Sequence, residues 1–95
     1  MALEPSADKW SHACLQPTAA DALSRRLAAR HVKCMAFGAQ GDQTKFYFYA
    51  EDAASRAVLL VELVVSASTG QATATVKSSA AHLIPPFSAL LKAEL

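Results

Sequence analysis

From Lys9 to Gln16 the side chains fall into two alternating sets, Trp10, His12 and Cys14 against Ser11, Ala13 and Leu15, which predicts a short strand. Pro17 and Thr18 end it. Thr18 has the chemistry of a helix N-cap, and Asp21 three positions on makes a short capping box. Strong helix formers without glycine or proline then run from Ala19 to about Arg30, with Ala19, Leu23, Leu27 and Ala28 as an apolar stripe. Val32 to Ala39 reads as a strand, closed by a turn marked by Gly38, Gly41 and Asp42. Thr44 to Glu51 is the strongest strand signal, aromatic throughout its centre. A turn at Asp52 to Ser55 leads to Ala57–Ala67, nearly continuous valine and leucine. Thr69-Gly70 is a hairpin turn before the alternating strand Gln71–Lys77. Pro85 and Pro86 open a last helix, where a fixed φ and a missing N–H cost little, and Phe87, Leu90, Leu91 and Leu95 share one of its faces.

The order β-α-β-β-β-β-α, with four consecutive strands on short turns, predicts an α+β fold: a five-stranded antiparallel sheet with two helices on one face. Two helices of this length cannot cover both faces, so the second face should be polar. It is not. In Ala57–Ala67 one face carries Leu59, Val61, Leu63 and Val65; the other carries Val58, Leu60, Glu62 and Val64. Glu62 marks the second as open, because a lone carboxylate in a core is costly. In Thr44–Glu51 the pair Phe46 and Phe48 shares one face and Tyr47 and Tyr49 the other, so one aromatic pair must lie on the open sheet. An exposed apolar strip around a carboxylate suits a peptide contact, with Glu62 as anchor for a ligand cation.

At 95 residues there is room for one domain, so 1–95 is read as a single unit with 1–9 as a flexible leader. Such a chain buries only about two-thirds of its unfolded surface and needs one well-filled core. The formal charge of +1 disfavours general nucleic-acid binding. Met1 to Lys9 contains Glu4, Pro5 and Asp8 rather than an apolar signal core, and no run approaches membrane-spanning length. Cys14 and Cys34 are read as reduced thiols of a cytoplasmic protein.

Catalytic patterns are lacking. The three glycines sit in turns rather than in a phosphate loop, and no nucleophile elbow occurs. His12, Cys14, His31 and Cys34 do not follow the usual spacing of zinc ligands, so no metal and no cofactor is expected. His82 is read as a loop or capping residue. Arg25, Arg26 and Arg30 complement the helix dipole; with Lys33 they form a possible anionic contact.

The stretches DALSRRLAARHVKCMA, FYFYAEDAASRAVLLVEL, TATVKSSA and FSALLKAEL, taken in order, resemble the platform subdomain of the β-adaptin appendage, the ear of the β subunit of heterotetrameric adaptor complexes. The resemblance covers Asp21 to Leu95 and implies a TBP-like appendage platform. It implies a non-catalytic interaction module of a vesicle coat, on the cytosolic face of trans-Golgi, endosomal or coated-vesicle membranes. Its partners would be short linear motifs of accessory or cargo-adaptor proteins, and other adaptor subunits through the remainder of the chain, with only indirect membrane contact. Carried residue by residue, it implies a peptide site of Met35, Ala36, Phe46, Phe48, Leu60 and Glu62. A family tryptophan central to the peptide pocket has no counterpart at Trp10, so the pocket is expected to be rebuilt or shallow. The immunoglobulin-like sandwich that usually precedes the platform is not in this sequence; the chain is then an excised piece or, as we expect, a platform-only type as in adaptor protein complex 4.

Placing Phe48 beside Leu60 and Glu62 requires an odd-length loop or a bulge near Asp52–Ser55, whereas an even turn puts Phe48 on the core face. The expectation is the odd loop, with Phe48→Ser abolishing peptide binding and sparing the fold. Two other functions stand as alternatives: an anionic-lipid-binding or autoinhibitory domain similar to the kinase-associated C-terminal domain, which shares the element order and would use the basic cluster, and a homodimerisation domain using the exposed apolar face.

Overall fold

A computed structural model describes residues 6–95. The elements are β1 (Ser6–Ala13), α1 (Ala20–Ala28), β2 (Lys33–Gln40), β3 (Gln43–Glu51), β4 (Val58–Ser66), β5 (Gln71–Ser78) and, after a 3₁₀ turn at Ala81–Leu83, α2 (Ile84–Ala93). All pairings are antiparallel, in the order β1-β5-β4-β3-β2. The expected α+β sheet and element order are present. The meander β2 to β5 is local. β1 instead joins the far side against β5, so α1 carries the chain from one edge of the sheet to the other.

β1 starts earlier than the alternation suggested. Ser6 to Lys9, expected in a flexible leader, pair with Ser78 to Thr75, while residues 1–5 lie outside the described residues. The strand stops at Ala13 because β5 begins at its partner, Gln71. Cys14 N–H then donates to the Gly70 carbonyl, and the N–H groups of Leu15 and Gln16 both donate to the Leu95 carbonyl oxygen. Those residues serve the end of α2 instead of the ladder.

The N-terminus of α1 also departs from expectation. The helix starts at Ala20 with Ala19 as N-cap and no capping side chain, so Thr18 does not form the predicted box. Its other end is closed by backbone bonds. His31 takes a left-handed conformation (φ 64°), His31 N–H donates to Ala28 and Val32 N–H donates to Leu27. This is a Schellman closure, which usually places glycine where His31 stands. Buried Val32 packs beside Leu27, as that motif favours.

Both helices lie on one face of the sheet, α1 against β2 and α2 against β5 and β1. Leu23, Leu27, Ile84, Phe87 and Leu91 meet Phe46, Phe48, Leu59, Val61, Leu63, Ala74 and Val76 in one core. Phe46 and Phe48 stack at 5.6 Å between centroids. Trp10 joins the same side: its Nε1 donates to Ser88 Oγ at 3.0 Å, and Lys92 Nζ sits 4.9 Å from its ring centroid. That contact ties edge strand β1 to α2.

Candidate functional site

Register decides what the uncovered face displays. Six residues, 52–57, separate β3 from β4. Asp52 N–H donates to the Ala57 carbonyl at 2.9 Å, and Arg56 N–H reaches back to the Asp52 carbonyl at 2.8 Å, with Arg56 at φ 62°. Ser55 donates to the Asp52 carboxylate through both N–H (2.9 Å) and Oγ (2.7 Å). These bonds fix an even loop. Tyr47 therefore pairs with Glu62 and Phe48 with Val61.

This overturns the expected odd loop and two members of the expected peptide site. Phe46 and Phe48 are 0% and 1% exposed and belong to the core. The physical reason is parity: side chains alternate faces, so an even loop keeps Phe48 with Val61 and turns the tyrosines outward. Tyr47 is 42% exposed and Leu60 48%.

Across the open face one row runs Ala36, Tyr47, Glu62, Thr75, Lys9; the next runs Tyr49, Leu60, Lys77. Met35, 61% exposed, occupies a bulge where the β2–β3 register shifts between Cys34 and Ala36. The bulge lets Met35 reach the same side as Ala36, its neighbour in sequence. Met35, Tyr47, Leu60, Glu62, Thr75 and Lys77 line an open depression of about 530 Å³, with Phe48 and Val61 at its floor. The structure thus brings Met35, Leu60 and Glu62 to one depression and places exposed Ala36 beside it. The sequence reading did not name Tyr47, Thr75 and Lys77, which line the same depression; β4–β5 register and the parity of the 52–57 loop are the signals that place them there.

Charges on this face are mixed. By register Lys9, Lys33, Lys45 and Lys77 share it with Glu51 and Glu62. Lys45 Nζ stands 3.9 Å from Glu62 and 6.0 Å from the Tyr47 ring centroid. Both partners of that ion pair are half-exposed, where such pairs contribute about 0–1 kcal/mol. Glu62 therefore already has a cation beside it. Tyr49 donates to Glu51 at 3.3 Å, and its pKa is raised, chiefly by partial desolvation and then by the Glu51 charge.

The basic cluster is divided. Arg26 donates to the Glu94 carbonyl at 3.0 Å and makes a 3.6 Å ionic contact with its carboxylate. Arg30 Nε donates to the same carboxylate at 3.0 Å. Arg25 and Lys33 are exposed. Glu94 thus uses two of the four cations to tie α1 to the end of α2.

His12 and Cys14 lie at the β1 side of the sheet and His31 and Cys34 at the β2 side, opposite edges, so these four cannot converge on a metal, nor the two cysteines on each other. Burial raises the Cys14 pKa. No helix among the described residues is long and apolar enough to cross a membrane.

Comparison with known families adds one finding. The family described as Beta2-adaptin appendage, C-terminal sub-domain, matches residues 3–95, and the chain belongs to that family. No curated protein matches it.

Proposed function

We propose that this appendage subdomain is a non-catalytic interaction module of a vesicle-coat adaptor β subunit, and that its open sheet face binds short linear motifs of accessory or cargo-adaptor proteins. The observation that carries the reading is the depression in which Met35, Tyr47 and Leu60 stand exposed beside Glu62 and Lys77 on a face with no helix over it. Soluble domains rarely leave large apolar side chains grouped in this way without a partner. Ala36 lies beside the depression and belongs to the same contact. Family membership supports a place on the cytosolic face of trans-Golgi, endosomal or coated-vesicle membranes, with membrane contact made through other parts of the adaptor.

Affinity is in the micromolar range, roughly, because a short disordered peptide loses conformational freedom on binding. The test is an amide-shift titration of the labelled domain with peptides that combine acidic residues and paired bulky apolar residues. Saturable shifts centred on Met35, Tyr47, Leu60 and Glu62, lost in Tyr47→Ser and Leu60→Ser variants that remain folded, support the reading. Shifts confined to Arg25–Lys33, and only with anionic lipid, would replace it with the lipid-binding alternative.

A further inference from the structure

The two edges of the sheet are protected unequally. Edge strand β1 carries Asp8, Lys9 and His12, and Trp10 secures it to α2. Charged residues on an edge discourage pairing with another chain. The opposite edge, β2, has no charge and no proline from Cys34 to Gly41. Every β2 residue except Cys34 is exposed. Apart from the ladder with β3, no backbone–backbone hydrogen bond among the described residues involves 33–40. In an antiparallel ladder alternate residues turn their N–H and C=O outward, so this edge offers donors and acceptors without main-chain partners, the Ala36 carbonyl accepting only a 3.7 Å contact from the Cys34 thiol.

Large apolar groups flank that edge on both faces. Met35 stands on the open side, and Phe37, 59% exposed, lies on the helix side against Phe46 at 6.2 Å. Helix α1 adjoins the Lys33–Cys34 end through Ser24 and Ala28. Beyond the bulge, Ala36 to Gln40 pair regularly with Tyr47 to Gln43. A groove of about 510 Å³ runs beside this stretch, lined by Ala36 to Gln40 with Lys45, Tyr47 and Val64. A Cβ built on Gly38 would meet nothing within 4 Å, so the face above Gly38 is open.

We propose that the outer edge of β2, from Ala36 to Gln40, takes an extended segment of a partner protein as a sixth strand. Apolar residues of the segment would alternate between Phe37 on one face and the Ala36–Gly38–Tyr47 groove on the other. Acidic flanks would meet Lys45, the one charged side chain lining the groove, and Lys33 at the strand's start. The inference rests on the reading that the open face receives linear segments, and adds main-chain pairing as the mode. A second copy of the chain suits the edge less well. The regular run is about 17 Å long, and two copies joined along it would bury far less than the roughly 1,600 Å² of a standard stable interface.

The probe is a synthetic decapeptide of alternating leucine and threonine with glutamates at both ends, with a second version N-methylated at alternate residues. It is titrated into the labelled chain while shifts and amide exchange are followed. Strand addition predicts slowed exchange at alternate residues of Ala36–Gln40, and weakening of about ten-fold or more on N-methylation and in Phe37→Lys. Binding that shifts Tyr47 and Leu60 but leaves β2 exchange, N-methylation and Phe37→Lys without effect overturns strand addition and leaves the open-face reading standing. Failure of the decapeptide to saturate at millimolar concentration also overturns it; the open-face reading then stands or falls on its own titration. Concentration-dependent self-association abolished by Phe37→Lys would assign the edge to a second copy instead. The N-methylated probe needs no protein variant, so the test survives if Phe37→Lys fails to fold.

Discussion

Phe48→Ser should strongly destabilise the domain instead of only silencing a binding site. Phe48 is 1% exposed, stacks on Phe46 and faces Val61 across the ladder. Truncating a buried phenylalanine costs about 3–5 kcal/mol in lost transfer energy and cavity, and an unpaired serine hydroxyl in the vacated space adds to that. A domain of this size has a total stability of about 5–14 kcal/mol. With a urea m-value of about 1.5 kcal/mol/M, a loss near 4 kcal/mol lowers the midpoint by roughly 2.5 M. Tyr47→Ser removes a half-exposed side chain and its cross-strand contact with Glu62, worth about 1 kcal/mol or less, so its midpoint falls by less than about 0.7 M. Urea titrations of both variants, followed by far-UV circular dichroism, measure the contrast. A near-native midpoint for Phe48→Ser with a large loss for Tyr47→Ser would refute the register, since a one-residue slip exchanges the faces of the two side chains.

His31→Gly should stabilise the chain by about 0.5–1 kcal/mol, because glycine occupies the left-handed Schellman position without strain; a fall in thermal midpoint would count against that account. Glu94→Ala should lower stability by about 1 kcal/mol, since Arg26 and Arg30 lose their shared carboxylate, and the difference from the parent should shrink at high salt; an unchanged urea midpoint would show that the clasp contributes nothing. Asp42 and Asp52 have pKa values below their usual 3.8, held down chiefly by hydrogen bonds from Ser68 and Ser55 respectively. A lowered folded pKa gives stability that is present above the unfolded value and lost as pH falls through the folded one. The stability of Asp52→Asn should therefore change less than the parent's between about pH 4 and pH 2; identical acid slopes would remove Asp52 from the explanation.

Element order and sheet content were legible because each strand or helix had its own local period, and Glu62 alone identified the outer face of β4. The assignment between the phenylalanines and tyrosines of β3 was not legible. It depends on whether the 52–57 loop is odd or even, and strand ends read from sequence are uncertain by more than one residue. The deciding bonds, Asp52 to Ala57 and Ser55 to Asp52, involve turn residues that mark where the loop lies but not how many residues it holds. Family resemblance pointed the other way at Phe48, because residue-by-residue transfer carries no information about a shift of one in the loop. The position of β1 beside β5 was equally hidden, since no local period records which distant strand will be a neighbour. The capping role given to Thr18 failed because α1 gains its hold from Leu23 and Leu27 in the core rather than from its first turn.

The parity of that loop also determines what sort of surface the domain presents. Had Phe46 and Phe48 faced outward, the open sheet would present two fully apolar rings around Glu62, a surface more prone to indiscriminate association. With the tyrosines outward the same strand offers rings that are apolar on their faces and polar at their tips, which suits a contact that must stay soluble when empty. Around them the weak Lys45–Glu62 pair supplies either sign of charge at little expense, since separating two half-exposed partners forfeits about 1 kcal/mol at most. An acidic ligand can draw off Lys45 and a basic one Glu62, so charge alone selects loosely. On the proposed peptide-binding reading, selectivity comes from fitting apolar side chains around Met35, Tyr47 and Leu60, whose exposed positions are set by the bulge on one strand and the even loop between the other two.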